Sequence, residues 1–254
     1  MTVFHRGSWP SPARTFLLIH GAGLGSWCWR YLEPRLKMRG HCVLTVDLPI
    51  EDLTAGAAAY ARVCEDALRQ ARMPGGVVVV AASMAGLVAP LIDHHDVIRT
   101  VYVDAVLPVP GTALADRRED VFSERYFDDF LPRLATTPGG LTRWPAAAAV
   151  EAWFGHCDPL TARWAASKVR GQSPKVFTET TPLAAWPDGP LTYIRCSDSP
   201  TLNSDWQDRA ASELLGVEPV VMDSDHSPFL SHPERLAALL HRAVQETPDR
   251  RSVL

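Results

Sequence analysis

Four consecutive valines, Val77–Val80, run directly into the small-residue segment 81–86 (AASMAG), which carries Ser83. A short, continuously apolar run of β-branched residues is typical of a strand that is covered on both faces, as in a parallel sheet. Small residues on either side of a serine let the strand and a following helix approach closely at a sharp turn. The segment therefore predicts a buried strand, a tight turn that projects the Ser83 hydroxyl above the sheet edge, and a helix.

Other parts of the chain repeat the alternation of strand and helix. Short apolar runs suited to strands lie at residues 16–19, 41–47, 100–104, 191–196 and 217–222, and helical composition marks residues 27–38, 55–72 and 233–245. Strands that alternate with helices of this length imply βαβ crossovers and a parallel sheet. Residues 1–14 are polar and predict a loose leader.

Residues 108–187 interrupt this alternation. They contain helical stretches separated by Pro and Gly and no convincing strand. We therefore predict an α/β fold in which a mostly parallel central sheet flanked by helices is formed by residues 1–107 and 188–254. Residues 108–187 are predicted to form a helical cap insertion.

Composition and charge exclude several classes of protein. The net charge of −4 and the scattered basic residues give no reason to expect nucleic acid or an anionic membrane as a partner. No apolar run approaches the roughly 20 residues of a membrane span, and residues 1–6 show none of the long apolar stretch that is typical of a signal peptide. The five cysteines form no CxxC pair, which indicates free thiols in a reducing compartment. We expect a cytoplasmic protein with a small-molecule substrate, and the sequence is also compatible with a homodimer.

The turn at Ser83 has a functional and a structural interpretation. A nucleophilic serine would use backbone N–H groups to hold a developing oxyanion, and Met84 at the start of the following helix supplies one. The glycine-rich segment 20–23 (HGAG) follows the first predicted strand and offers the second donor, Ala22. The alternatives are a serine that caps an ordinary helix in a doubly wound fold and a glycine-rich turn without a catalytic part.

Several segments, taken together and in order, resemble a known family. Residues 18–22 (LIHGA) and 26–29 (SWCW) look like the opening of the plant methylesterase and hydroxynitrile lyase branch of the α/β-hydrolases and its small bacterial esterase-like relatives. Residues 83–86 (SMAG) resemble that branch's Ser-Met-Gly-Gly, and segments 103–108 (VDAVLP) and 225–229 (DHSPF) continue the similarity. The resemblance implies the α/β-hydrolase fold, a serine nucleophile, a histidine base and a helical cap over the pocket. It does not identify the substrate.

A serine hydroxyl becomes a strong nucleophile only when a neighbouring base removes its proton. In the α/β-hydrolase order the histidine comes last, after the final strand, and His226 follows the predicted strand that ends at Met222. His232 is interpreted as a surface residue at a helix start, and His94 and His95 as solvated. The alternative for His226 is a loop histidine without a role.

The acid that orients the histidine is less well defined by the sequence. Asp198, in the loop after the strand at 191–196, is the preferred candidate for holding the imidazole in the right tautomer. Counted from Tyr193, however, the family pattern places the acid at Ser199. Asp104, at the end of the preceding strand, is an alternative, and Asp205 lies deeper in the next helix.

The predicted insertion is rich in aromatic residues, which suit either an apolar pocket for a small ring-bearing or acyl substrate or the insertion's own core. They are Phe122, Tyr126, Phe127, Phe130, Trp144, Trp153, Phe154, Trp164, Phe177 and Trp186. His156, Cys157 and Asp158 are adjacent in the chain, and three adjacent side chains do not converge on one ion. We therefore expect no metal at these residues.

The sequence leads to one main functional hypothesis and two alternatives. The main hypothesis is a cofactor-free serine hydrolase that acts on a small, largely apolar ester through an acyl-enzyme, with Ser83, His226 and Asp198 as the triad. The second is a lyase or cyclase that uses Ser83 and His226 as acid and base. Cyanohydrin cleavage itself is disfavoured, because the lysine of that branch is absent from residues 226–232. The third is a binding protein that has lost catalysis.

Overall fold

The computed structural model describes residues 13–71 and 75–245. Most of the predicted leader, residues 1–14, lies outside the described residues. The main sheet has six strands in the order β2-β1-β3-β4-β7-β8, and every neighbouring pair is parallel. The strands are β1 (Thr15–Ile19), β2 (Cys42–Thr45), β3 (Val77–Ala82), β4 (Val97–Val103), β7 (Leu191–Cys196) and β8 (Val220–Met222). This arrangement confirms the predicted α/β-hydrolase-type sheet.

Strand β3 lies in the middle of the sheet because its side chains are apolar on both faces. Every residue of β3 is buried. Val77, Val79 and Ala81 point into one core, while Val78 and Val80 point into the other. The same division continues on β1, which pairs with β3 from Thr15–Val77 to Ile19–Ala81.

Helices cover both faces of the sheet and carry apolar residues at helical spacing. Those of the described main fold are α1 (Leu32–Met38), α2 (Ala57–Ala71), α7 (Ser204–Leu215), α8 (Pro228–Ser231) and α9 (Pro233–Gln245). Helices α2 and α7 contribute to the core that contains Val79, and α1 and α9 contribute to the core that contains Val80. Layers of helix on both faces explain why the strands are uniformly apolar rather than alternating.

Residues between β4 and β7 contribute no strand to the six-stranded sheet within the described chain. They form helices α3 (Arg118–Val121), α4 (Ala146–Trp153), α5 (Pro159–Ser167) and α6 (Lys175–Thr178), together with short 3₁₀ and π turns. They also form a small antiparallel hairpin, β5 (Ala135–Thr136) with β6 (Thr142–Arg143), which the sequence did not predict. We refer to residues 108–187 as the insertion. Its boundaries as a separate domain stay a prediction.

Two predicted helices are broken. The helix expected over residues 27–38 is a 3₁₀ turn at Ser26–Trp29 followed by α1, and the helix expected after Ser83 is two 3₁₀ turns, Ser83–Leu87 and Ala89–Leu91. Pro90 lies at the start of the second turn and supplies no N–H, so a continuous α-helix is interrupted there. No helix in the described ranges is both long and apolar enough to cross a membrane.

Candidate active site

Ser83 occupies a strained turn at the carboxyl end of β3. Its φ angle is +54°, in the left-handed region that residues with side chains rarely adopt. Such a conformation costs about 1–3 kcal/mol and persists only where the surroundings enforce it. Here the Ser83 carbonyl accepts a hydrogen bond from the Val106 N–H at 3.2 Å, which ties the turn to the segment after β4. The predicted sharp turn at Ser83 is confirmed.

Two glycines show how closely the backbone packs around this turn. A Cβ atom added to Gly21 would lie 2.9 Å from the Ser83 Cβ, and one added to Gly86 would lie 2.0 Å from the Val106 carbonyl oxygen. Ala81 and Ala85, which flank the turn, are completely buried. A side chain at Gly21 or Gly86 would therefore collide with Ser83 or with the backbone, and a larger side chain at Ala81 or Ala85 would have to fit into the core.

The Ser83 hydroxyl contacts a histidine from the other end of the chain. Its Oγ lies 3.0 Å from Nε2 of His226, which follows β8. His226 is 5% exposed, whereas the Ser83 side chain is partly open to the cavity described below. The predicted pairing of these two residues is present in the structure.

The carboxylate against His226 belongs to Asp104. Its Oδ2 lies 2.6 Å from Nδ1 of His226, and its Oδ1 accepts the Cys196 N–H at 3.2 Å. Asp104 is 0% exposed and has a φ angle of +43°. An ionised carboxylate can only accept, so Nδ1 of His226 is the donor and carries the proton of the neutral ring. Nε2 is then free to accept the Ser83 hydroxyl proton.

Asp198 does not occupy the position predicted for it, and the preference for Asp198 over Asp104 is wrong. In the turn after β7 the Asp198 N–H bonds to the Ser224 carbonyl at 3.0 Å, and its exposed carboxylate lies 3.3 Å from Nε2 of His156. The next residue, Ser199, faces the ring instead, with Oγ 3.2 Å from Nδ1 of His226. The family position for the acid therefore lies beside the histidine, but in this chain it holds a hydroxyl.

Asp225 fixes the loop that carries His226. One carboxylate oxygen accepts the Ser227 N–H at 3.2 Å and the Ser231 hydroxyl at 2.7 Å, and the other accepts the His156 N–H of the insertion at 3.0 Å. The carboxylate is 2% exposed. These bonds join the histidine loop, helix α8 and the insertion at one buried group.

His20 holds the loop after β1, which contains Ala22. Nε2 of His20 accepts the Leu48 N–H at 3.0 Å, so the proton of the neutral ring is on Nδ1. Nδ1 then donates to the Gly21 carbonyl at 2.9 Å. Burial lowers the pKa of His20 to about 4, so the ring is neutral near pH 7. Ala22 and Met84, the predicted oxyanion donors, both line the cavity beside Ser83.

A cavity of about 230 Å³ lies between the sheet edge and the insertion. Ser83 and His226 form part of its wall, and most of the remaining wall is apolar. Five of the ten aromatics singled out in the insertion line the cavity: Phe122, Tyr126, Trp144, Trp153 and Phe177. Others, such as Phe130 and Phe154, are buried in the core. Both interpretations of the aromatics are therefore correct for part of the set.

Among the described residues, one cluster outside the cavity carries side chains of the kind that bind metal ions. Ligand atoms of His94, His95 and Asp96 lie within 4.8 Å of one another on the surface. The cluster precedes β4, whereas Asp104 follows the same strand, so the cluster is at the opposite edge of the sheet from Ser83. Adjacent exposed side chains of this kind provide no shaped cavity, and we assign the cluster no role.

Sequence comparison assigns the chain to a family. Residues 16–239 match the model of the alpha/beta hydrolase family, and the protein belongs to that family. The chain is similar to Methylesterase 7 of Arabidopsis thaliana, with 25% identity over 89% of this chain and 95% of the relative. It is also similar to the pFDCC methylesterase MES16 of the same plant, with 25% identity over 92% and 95% of the two chains.

Solved structures share the fold. A pyrethroid hydrolase from Sphingobium faniae JZ-2 superposes with a TM-score of 0.73 and 22% identity, covering 92% of this chain and 98% of its own. Polyneuridine aldehyde esterase superposes with a TM-score of 0.72 and 20% identity, covering 91% and 99%. At these identities the structural likeness shows the fold alone.

Proposed function

We propose that the protein is a cofactor-free serine hydrolase of the carboxylesterase type, which cleaves small, largely apolar esters through an acyl-enzyme. The observation that carries this proposal is the hydrogen-bonded series from the Ser83 hydroxyl through His226 to Asp104. It combines a nucleophile, a base and an orienting acid at the wall of an apolar cavity.

The geometry supports a two-stage reaction. The Ser83 Oγ attacks the ester carbonyl while Nε2 of His226 takes the hydroxyl proton. The Asp104 carboxylate, held at 2.6 Å from Nδ1, stabilises the imidazolium that forms. His226 then returns the proton to the leaving alkoxide, which departs as an alcohol. In the second stage water attacks the acyl group with the same proton transfers, which releases the acid and restores Ser83.

The backbone N–H groups of Ala22 and Met84 would hold the oxyanion of the tetrahedral intermediate. Both residues border the cavity, and the first N–H groups of a helical turn have no partner within that turn. Hydrogen bonds to a developing oxyanion are worth several kcal/mol, because they act where charge appears in the transition state.

The cavity supports a small apolar substrate. Its volume of about 230 Å³ and its aromatic walls suit a short acyl group or one ring rather than a long chain. Proteins similar to this chain in sequence or in structure are named methylesterase, pyrethroid hydrolase and polyneuridine aldehyde esterase. These names agree in describing hydrolases, and two of the three describe esterases, which supports ester hydrolysis here.

Hydrolysis of p-nitrophenyl acetate and butyrate tests the proposal. The wild type and the control Ser197→Ala, which changes an exposed serine, should release p-nitrophenol at equal rates. Ser83→Ala should lose at least ~10³-fold of kcat, as expected for removal of a triad nucleophile, with an unchanged circular dichroism spectrum. Undiminished turnover in Ser83→Ala would refute the serine mechanism. A wild type that binds small aromatic esters without cleaving them would instead support the binding-protein alternative.

A further inference from the structure

Gln172 connects the insertion to the loop that carries Ala22. The residue is 2% exposed and lines the cavity. Its backbone exchanges two hydrogen bonds with Thr142, at 2.8 Å and 2.9 Å, which fix it beside strand β6. Its side-chain oxygen Oε1 accepts the Gly23 N–H at 3.3 Å, across 149 positions of sequence.

The orientation of the Gln172 amide is fixed by its other end. Nε2 donates to the Ser173 carbonyl at 2.9 Å, so a rotated amide would place its NH₂ group against the Gly23 N–H and lose both bonds. Ser173 is itself anchored, because its N–H bonds to the Ile50 carbonyl at 2.7 Å. The acceptor that faces Gly23 is therefore held by contacts on both sides.

Two side chains hold the two peptide groups that flank Ala22. The Gly21–Ala22 peptide is held through its carbonyl by Nδ1 of His20 at 2.9 Å, and the Ala22–Gly23 peptide is held through its N–H by Gln172. Because peptide groups are planar, their two planes determine φ and ψ of Ala22. The Ala22 N–H lies in the first of these peptide groups, which His20 holds directly. Gln172 constrains it indirectly, by holding the peptide group on the other side of the Ala22 Cα.

The insertion reinforces the same loop from the other side of Gly23. The Arg170 N–H donates to the Gly23 carbonyl at 2.7 Å. Gly23 has a φ angle of +68°, and a Cβ added to it would meet the Arg170 carbonyl oxygen at 3.4 Å. The loop and the insertion therefore fit together closely, and the side-chain contact from Gln172 is the part that one substitution can remove.

We propose that Gln172 is a positioning residue for the reaction, which aims the Ala22 N–H at the oxyanion by holding the Ala22–Gly23 peptide. This inference rests on the proposed hydrolase function. Gln172 does not touch the reacting atoms in this role. Its contribution is made in the transition state, where the oxyanion needs a correctly directed donor, and is small in the ground state.

Gln172→Met tests the proposal, because methionine keeps the length of the side chain and removes the acceptor. We expect kcat for p-nitrophenyl butyrate to fall roughly 10-fold, less than the ~10²–10³-fold that follows loss of an oxyanion donor, while KM changes less than about twofold. The inhibition constant of a trifluoromethyl ketone, which forms a tetrahedral adduct, should rise in parallel with the loss of kcat. Inhibition by butyrate, a ground-state ligand, should be unchanged. The control Arg143→Ala, at an exposed position of β6, should match the wild type.

Other outcomes would overturn the proposal. Equal increases in KM and in the butyrate inhibition constant, with kcat retained, would mean that Gln172 only shapes the cavity. Hydrogen exchange of residues 21–24 provides a readout that does not depend on catalysis, and exchange should be faster in Gln172→Met. Unchanged exchange there would refute the loop contact. If the wild type hydrolysed no ester, the proposed hydrolase function and the role of Gln172 in it would both be refuted. Faster exchange in Gln172→Met would then show only that Gln172 holds the loop.

Discussion

Oδ2 of Asp104 and Nδ1 of His226 lie 2.6 Å apart, although the two residues are separated by 122 positions in the sequence. The contact brings together the carboxyl end of β4 and the loop after β8. It fixes the tautomer of His226, and through it the direction in which the Ser83 hydroxyl can lose its proton.

Asp104→Asn should reduce kcat by roughly 10³–10⁴-fold, because an amide in place of the carboxylate no longer enforces the productive tautomer or stabilises the imidazolium. Asparagine tolerates the positive φ angle of this position, so the fold should be retained. Asp198→Asn serves as the matched control, and its kcat in steady-state ester hydrolysis should stay within about twofold of the wild-type value. A large loss in Asp198→Asn with a small one in Asp104→Asn would reverse the assignment.

A carboxylate at position 199 should be able to replace Asp104 as the acid that orients His226. Ser199 Oγ is 3.2 Å from Nδ1 of His226, so a carboxylate there can reach the same ring nitrogen. Relative to Asp104→Asn alone, the double variant Asp104→Asn/Ser199→Asp should recover about 10-fold or more of kcat, since a restored charge stabilises the imidazolium. Asp104→Asn/Ser197→Asp adds the same charge at an exposed neighbour and should recover nothing. Equal activities of the two double variants would contradict this geometry.

Gly86→Ala should destabilise the fold by about 3 kcal/mol, because the added Cβ would lie 2.0 Å from the Val106 carbonyl oxygen and the backbone must move. Gly155→Ala is the control, since its Cβ would meet nothing closer than 3.9 Å. Urea unfolding monitored by tryptophan fluorescence measures both. Similar midpoints for the two variants would show that the turn is less tightly packed than described.

His20 should make stability depend on pH below neutrality. Its pKa is lowered from 6.5 to about 4 by burial, so between these values the unfolded chain binds a proton that the folded protein does not. Above pH 6.5 the His20 ring is neutral in both states and does not lower the free energy of unfolding. As the pH falls from 6.5 toward 4, the free energy of unfolding decreases by about 3 kcal/mol in total because of this group. His20→Asn carries no titrating group, so its free energy of unfolding should fall less steeply over this range. Parallel curves for the variant and the wild type would exclude this role.

The strands and the Ser83 turn could be predicted because they depend on local sequence. Val77–Val80 is apolar on both faces, and small residues surround Ser83, so the pattern alone indicates a buried strand and a tight turn. His226 could be placed by chain order. These features confirm that the main sheet and two members of the site are encoded in short segments.

The acid could not be chosen from the sequence, because the choice depends on which side chain faces a ring far away in the chain. Asp198 and Asp104 both follow strands whose carboxyl ends meet at one sheet edge, and only the turn after β7 decides that Asp198 points outward. No sequence pattern indicated that Gln172 belongs to the site. Its contact with Gly23 joins residues that are 149 positions apart in the chain, and no local pattern marks it.

Covalent labelling of Ser83 tests the central claim most directly. A fluorophosphonate traps an activated serine only when a base and oxyanion donors surround it, so intact-mass measurement and peptide mapping of the folded wild type should show one adduct, on Ser83. His226→Ala should label far more slowly, and Ser83→Ala should not label. Failure of the folded wild type to react, or an adduct on another serine with Ser83 unmodified, would contradict the proposal that Ser83, His226 and Asp104 form a working nucleophile.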